Sequence, residues 1–148
     1  MRRKIPFILV LLMLAFIWGQ SCLPAAASRK ESLGLLELLR PCLEFFFGKG
    51  NVTHYFVRKL AHFCEFFLLG CFLSALFPLT WRMRIPALGL ALLTGFLDET
   101  IQIFSGRGDQ ISDVWLDFSG AAAGILLSSL LFLLLRRRRR HREDPALR

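Results

Sequence analysis

Apolar positions gather into four long runs separated by short polar stretches. The runs cover residues 5–23 (IPFILVLLMLAFIWGQSCL), 60–79 (LAHFCEFFLLGCFLSALFPL), 86–104 (PALGLALLTGFLDETIQIF) and 114–135 (VWLDFSGAAAGILLSSLLFLLL). Each approaches the roughly 20 residues a helix needs to cross a hydrocarbon core. Pro41, Pro78 and Pro86 fall near predicted element boundaries, where a proline harms a helix least. The pattern predicts an all-α polytopic membrane helix bundle of about four transmembrane helices. Between the first two spans, Ser28-Arg29-Lys30-Glu31 has the form of a capping box, and Leu33, Leu36, Leu39 and Leu43 recur at helical spacing. An amphipathic interfacial helix is expected there, bent or interrupted at Pro41, with Phe45, Phe46 and Phe47 dipping into the leaflet. Gly48, Gly50 and Asn51 then form a turn. Asn51-Val52-Thr53 also fits a glycosylation sequon, relevant only in a eukaryotic secretory pathway.

The first run has a rival reading. Arg2, Arg3 and Lys4 ahead of it and Ala25-Ala26-Ala27 after it have the layout of a secretory signal peptide. A retained helix is favoured, because the run is long enough to span.

Composition narrows the class. The 148 residues are 55% hydrophobic and 20% charged, with a net charge of +8. Disorder is excluded, and a soluble domain of this size could not bury so much Leu and Phe. A nucleic-acid binder fits poorly, since no polar face carries the basic residues. Twelve of the 19 Lys and Arg residues lie with the termini and the short 80–85 segment, against seven on the opposite side, mostly in a longer loop. Both termini are therefore expected in the cytoplasm, with residues 28–57 and 105–112 outside. The basic tail 136–148 then reads as a topology anchor that touches anionic lipid. No CxxC pair occurs among Cys22, Cys42, Cys64 and Cys71. Cys22 and Cys42 share a side where a disulfide could form, and Cys64 and Cys71 are read as buried small hydrophobes.

The informative residues are polar groups within or beside the apolar runs: Arg58, Lys59, His62, Glu65, Asp98, Glu99, Gln102, Arg107, Asp113 and Asp117. A central Asp costs roughly 2.5–3.5 kcal/mol to insert. Such groups persist near an interface or facing partners inside a bundle. The expected topology brings the polar residues of three helices to one depth on the outer side. Arg58, His62 and Glu65 share a helix face, as do Asp98 and Gln102, and Asp113 and Asp117. Gly120-Ala-Ala-Ala-Gly124 continues the last stripe as a surface for close helix approach. The loop beginning Ser105-Gly106-Arg107 adds a guanidinium at the same surface.

Three chemistries suit this cluster. It can be a buried network that fixes helix register. It can hold a phosphate or carboxylate headgroup through Arg58, Lys59 and Arg107. One histidine among carboxylates can also relay protons or take a hard cation. A network that binds a ligand ranks first. Catalysis ranks lower, because HExxH, a second intramembrane histidine and a nucleophile elbow are all missing.

RKLAHFCEFFLLG (residues 58–70) and LDETIQIFSGRGDQISDVWLDFSGAAAG (residues 97–124) resemble the VanZ-like membrane protein family. Arg58, Lys59, His62, Phe63, Glu65, Asp98, Glu99, Gln102, Gly106, Arg107, Asp113, Asp117 and Gly120 match its pattern in order. Residues 58–135 are covered well and the first span loosely. Ile103-Phe104-Ser105 departs from the longer apolar-Pro stretch of many members, which affects the loop. The resemblance implies a single VanZ-like domain over residues 1–148 in a bacterial cytoplasmic membrane. The family's founding member is linked to low-level teicoplanin resistance, and no catalytic activity is established for the family. The expected function is binding of a lipid or cell-envelope headgroup at an outward-facing polar site, with an effect on glycopeptide susceptibility following from the resemblance. The alternative is a membrane hydrolase or transferase acting on a lipid-linked substrate. Membrane lipids and a lipid-linked ligand are the expected partners, with homo-oligomers left open. No nucleic acid, cofactor or metal is assigned.

Overall fold

The computed structural model describes residues 3–77, 80–107 and 111–143. Among these the chain forms five helices and no strand: α1 (Lys4–Ser21), α2 (Ala25–Phe47), α3 (His54–Leu76), α4 (Trp81–Phe104) and α5 (Ile111–Glu143). All but α2 are long and apolar enough to cross a membrane. The end of the second expected span at 78–79, the loop residues 108–110 and the tail residues 144–148 lie outside the described residues.

The spans start earlier than apolar runs alone suggest. Thr53 caps α3, its hydroxyl accepting from Phe56 N at 3.2 Å, so the helix begins at His54 rather than near residue 60. Asn51 Nδ2 donates to the Phe47 carbonyl at 2.8 Å, so the polar groups of the sequon tie off two helix ends. Pro86 sits inside α4, which starts at Trp81. The arginine run 136–139 continues α5 as helix.

Two local expectations for the interfacial helix are corrected. The capping box is not used: α2 starts at Ala25 after the extended Pro24, because Ala25-Ala26-Ala27 are strong helix formers that carry the helix upstream of Ser28. Pro41 does not interrupt α2. The carbonyl it leaves without an amide partner belongs to Glu37, which is exposed and open to solvent.

The core joins Val10, Met13 and Ile17 of α1, Phe66, Leu69 and Leu73 of α3, Ala87 and Ala91 of α4, and Ala121 and Ile125 of α5. Large apolar side chains such as Phe7, Leu11, Phe96, Leu126 and Phe132 point outward, as expected of a surface in contact with lipid. The tightest seam is between α3 and α5. A Cβ on Gly120 would lie 2.5 Å from the Phe63 carbonyl oxygen. Cβ atoms on Gly70 and Gly124 would collide with the carbonyls of Ala121 and Phe67. Only glycine allows this approach. Leu36 of α2 packs with Val52 and Val57, which fastens α2 beside the start of α3.

All four cysteines are free. Cys64 is exposed and Cys71 only half-buried, contrary to the buried reading of both; Cys64 lies on the face of α3 turned away from the bundle.

Candidate functional site

The end of α1, the first turns of α3, the last turns of α4 and the start of α5 meet at one end of the bundle. Asp98 is fully buried and is the hub. Ser21 Oγ donates to its Oδ1 at 2.5 Å, and Gln102 Nε2 donates to its Oδ2 at 2.6 Å. Gln102 and Asp98 meet because they are one turn apart on α4. Arg58 Nη2 reaches Gln102 Oε1 at 3.4 Å. His62 Nδ1 stands 3.9 Å from Asp98 Oδ2 and 4.0 Å from Glu65 Oε2. Lys59 pairs with Asp113, and its ammonium also lies over the Tyr55 ring, 4.9 Å from the centroid. Glu99 and Asp117 are buried on α4 and α5.

Arg107 has a definite structural task. Its guanidinium donates to the carbonyls of Gln20 at 2.6 Å and Leu23 at 3.1 Å. Gln20 lies in the last turn of α1 and Leu23 just past its Cys22 cap, at the helix end where a cation is favoured. Gly106, with φ of 74°, supplies the left-handed turn that brings the following arginine back toward α1.

Two spaces adjoin these groups. A cavity of about 330 Å³ lies among α1, α2 and α3. Arg58, His62, Glu65 and Arg107 line its charged side, Gln20, Ser28, Glu31 and Ser32 its polar mouth, and Phe16, Leu35 and Val57 its apolar wall. A cleft of about 10 Å³ lies deeper, lined by Arg58, Lys59, His62, Glu99, Gln102, Asp113 and Asp117. Arg58 and His62 face both.

All ten residues singled out in the sequence thus lie at one end of the bundle; nine divide between two spaces, and Asp98 is buried behind both. Glu65 and Arg107 face the larger cavity, and Lys59, Glu99, Gln102, Asp113 and Asp117 face the cleft. Sequence reasoning missed Ser21, Ser28, Glu31 and Ser32. Gln20-Ser21 closing an otherwise apolar run was the available signal for the first.

Membrane-spanning helices wrapped around buried charge define a multi-pass membrane protein. A family model described as VanZ/LLP1 matches residues 6–134, and the chain belongs to that family. Comparison with curated proteins and with solved structures gave no match.

Proposed function

We propose that the protein binds the anionic headgroup of a lipid or lipid-linked cell-envelope molecule on the outer side of a bacterial cytoplasmic membrane, with both termini in the cytoplasm. The observation that carries this reading is the cavity of about 330 Å³ between the spans and the amphipathic α2. Its wall grades from apolar, at Phe16, Leu35 and Val57, to charged, at Arg58, His62 and Arg107. A lipid has the same gradient from acyl chain to headgroup. Arg58 supplies a planar fork suited to phosphate or carboxylate oxygens. Leu33, Leu38, Phe45 and Phe46 on α2 are exposed, as suits a helix lying in the interface. An effect on glycopeptide susceptibility is the cellular consequence that family membership suggests.

The test has two arms. Purified protein in nanodiscs is challenged with phosphatidylglycerol and with an undecaprenyl-linked phosphate, and retained lipid is read by native mass spectrometry. Enrichment of either over phosphatidylcholine, lost in Arg58→Gln, is expected. Cells carrying wild type, His62→Gln or Asp98→Asn are then compared for growth under cell-wall antibiotics, with immunoblots for accumulation. Variants that accumulate normally yet lose the phenotype support a site, and loss of phenotype in proportion to protein level reduces the cluster to packing.

A second reading, hydrolysis or group transfer on a lipid-linked substrate, is favoured by His62 standing between Glu65 and Asp98. An imidazole flanked by carboxylates is an arrangement for general-base work. Release of a cleaved headgroup from the retained lipid would select this reading.

A further inference from the structure

We infer that His62, Asp98 and Asp117 form a binding site for one small divalent cation of the zinc class, with a coordination position left open toward the larger cavity. This goes beyond headgroup binding and departs from the sequence reading, which assigned no metal.

Geometry is the first support. One ligand atom from each of the three side chains lies within 4.8 Å of the others, and they come from three different helices. Tetrahedral zinc, with bonds of about 2.0–2.2 Å, needs ligand atoms about 3.4 Å apart. Rotamer adjustments that shorten the widest separation by up to about 1.4 Å close that gap.

The second support is Asp117 itself. Its side chain is 2% exposed, lines the cleft, and makes no hydrogen bond with another described residue. It lies in the field of Asp98, Glu99, Asp113 and Glu65, all carboxylates. A buried carboxylate surrounded by others requires either a proton or a compensating cation. Lys59 is paired with Asp113 instead. Around the cleft and His62, the carboxylates Glu65, Asp98, Glu99, Asp113 and Asp117 outnumber the fixed cations Arg58, Lys59 and Arg107. A divalent ion would offset that excess of negative groups.

Size selects the ion. The cleft of about 10 Å³ beside His62 and Asp117 holds one water-sized occupant; Asp98 does not line it and reaches the site only through its approach to His62. Calcium takes 6–8 oxygen ligands and magnesium keeps several waters, and neither fits. One imidazole and two carboxylates leave a fourth position on zinc, as in sites where the metal binds an exogenous oxygen. Ser21 and Gln102, both bonded to Asp98, would serve as the outer partners that orient a ligating carboxylate. His62 lines the cavity as well as the cleft, so an ion on its ring would meet the headgroup oxygen of a lipid bound there.

The test uses the full chain in detergent, stripped with a chelator and titrated with Zn²⁺. Calorimetry and elemental analysis should find one ion per chain. Affinity should fall by more than about tenfold in His62→Gln and in Asp117→Asn, while Glu37→Gln on the exposed face of α2 should bind like wild type. Circular dichroism checks folding. Should either variant misfold, zinc-edge X-ray absorption on wild type still decides. One imidazole with the remaining ligands oxygen is the expected spectrum, and sulfur ligation, pointing to the free cysteines, overturns the site. Substoichiometric binding to wild type, or unchanged affinity in both folded variants, overturns it equally. Stoichiometric metal without lipid enrichment would leave this site standing and remove headgroup binding alone.

Discussion

The α3–α5 seam sets the distance between His62 and Asp117, so its glycines should control both stability and the site. In Gly120→Ala, the new Cβ would sit 2.5 Å from the Phe63 carbonyl oxygen, where ordinary contact begins at 3.4 Å. The obstacle is backbone, which cannot rotate away as a side chain can. The helices must separate locally by about 1 Å, at a cost of about 1–3 kcal/mol by analogy with overpacked cores. Gly124→Ala meets the Phe67 carbonyl more severely and also comes within 3.0 Å of Cys71 N. It should fall at the upper end of that range.

Gly89→Ala is the matched control. No atom lies within 4 Å of its Cβ position, so only helix propensity acts and α4 should gain up to about 1 kcal/mol. Unfolding in mixed micelles, followed by circular dichroism against the mole fraction of denaturing detergent, reads all three. The expected order is Gly89→Ala at or above wild type, then Gly120→Ala, then Gly124→Ala. Wild-type stability in Gly124→Ala, with loss in Gly89→Ala, would refute close packing of α3 on α5.

Ser21→Ala removes the bond to Asp98 and leaves a buried carboxylate oxygen short of a donor, and should cost about 1–3 kcal/mol in the same unfolding assay. A double-mutant cycle of Lys59→Met and Asp113→Asn should show a coupling of about 1 kcal/mol or less, because both side chains are partly exposed. A larger coupling would place the pair in a drier environment than its exposure indicates. Deleting residues 1–27 should abolish accumulation of folded protein. A truncated chain with wild-type stability would show that α1 is dispensable. Reporter fusions at Phe47 and at the C-terminus should report opposite sides of the membrane, and the same side for both would overturn the expected topology.

Most of the fold was legible because lipid imposes a simple rule: long apolar runs become helices. The ends were less legible, since apolarity marks where a helix meets lipid and not where its hydrogen bonds begin. Thr53 starts α3 ahead of its apolar run, and α5 continues through arginines that need no burial. The candidate site was readable for a related reason. A charge inside an apolar run is costly enough to require partners, so Asp98, Glu99 and Asp117 announced themselves. Seryl side chains cost little to insert and send a far weaker signal, so Ser21, marked only by the polar Gln20-Ser21 close of an apolar run, gained its role from its bond to Asp98.

The end of α1 carries the remaining argument. Read alone, residues 1–27 have the layout of a removable leader. In the fold, Ile17 is fully buried against the other spans, Ser21 donates to Asp98, and the carbonyls of Gln20 and Leu23 hold Arg107. Without α1, Phe66 and Leu69 would lose part of their cover, Asp98 would lose the hydrogen bond from Ser21, and the larger cavity would open at Phe16 and Gln20. The polar terminus of α1 closes the charged end of the bundle, and the larger cavity depends on that closure.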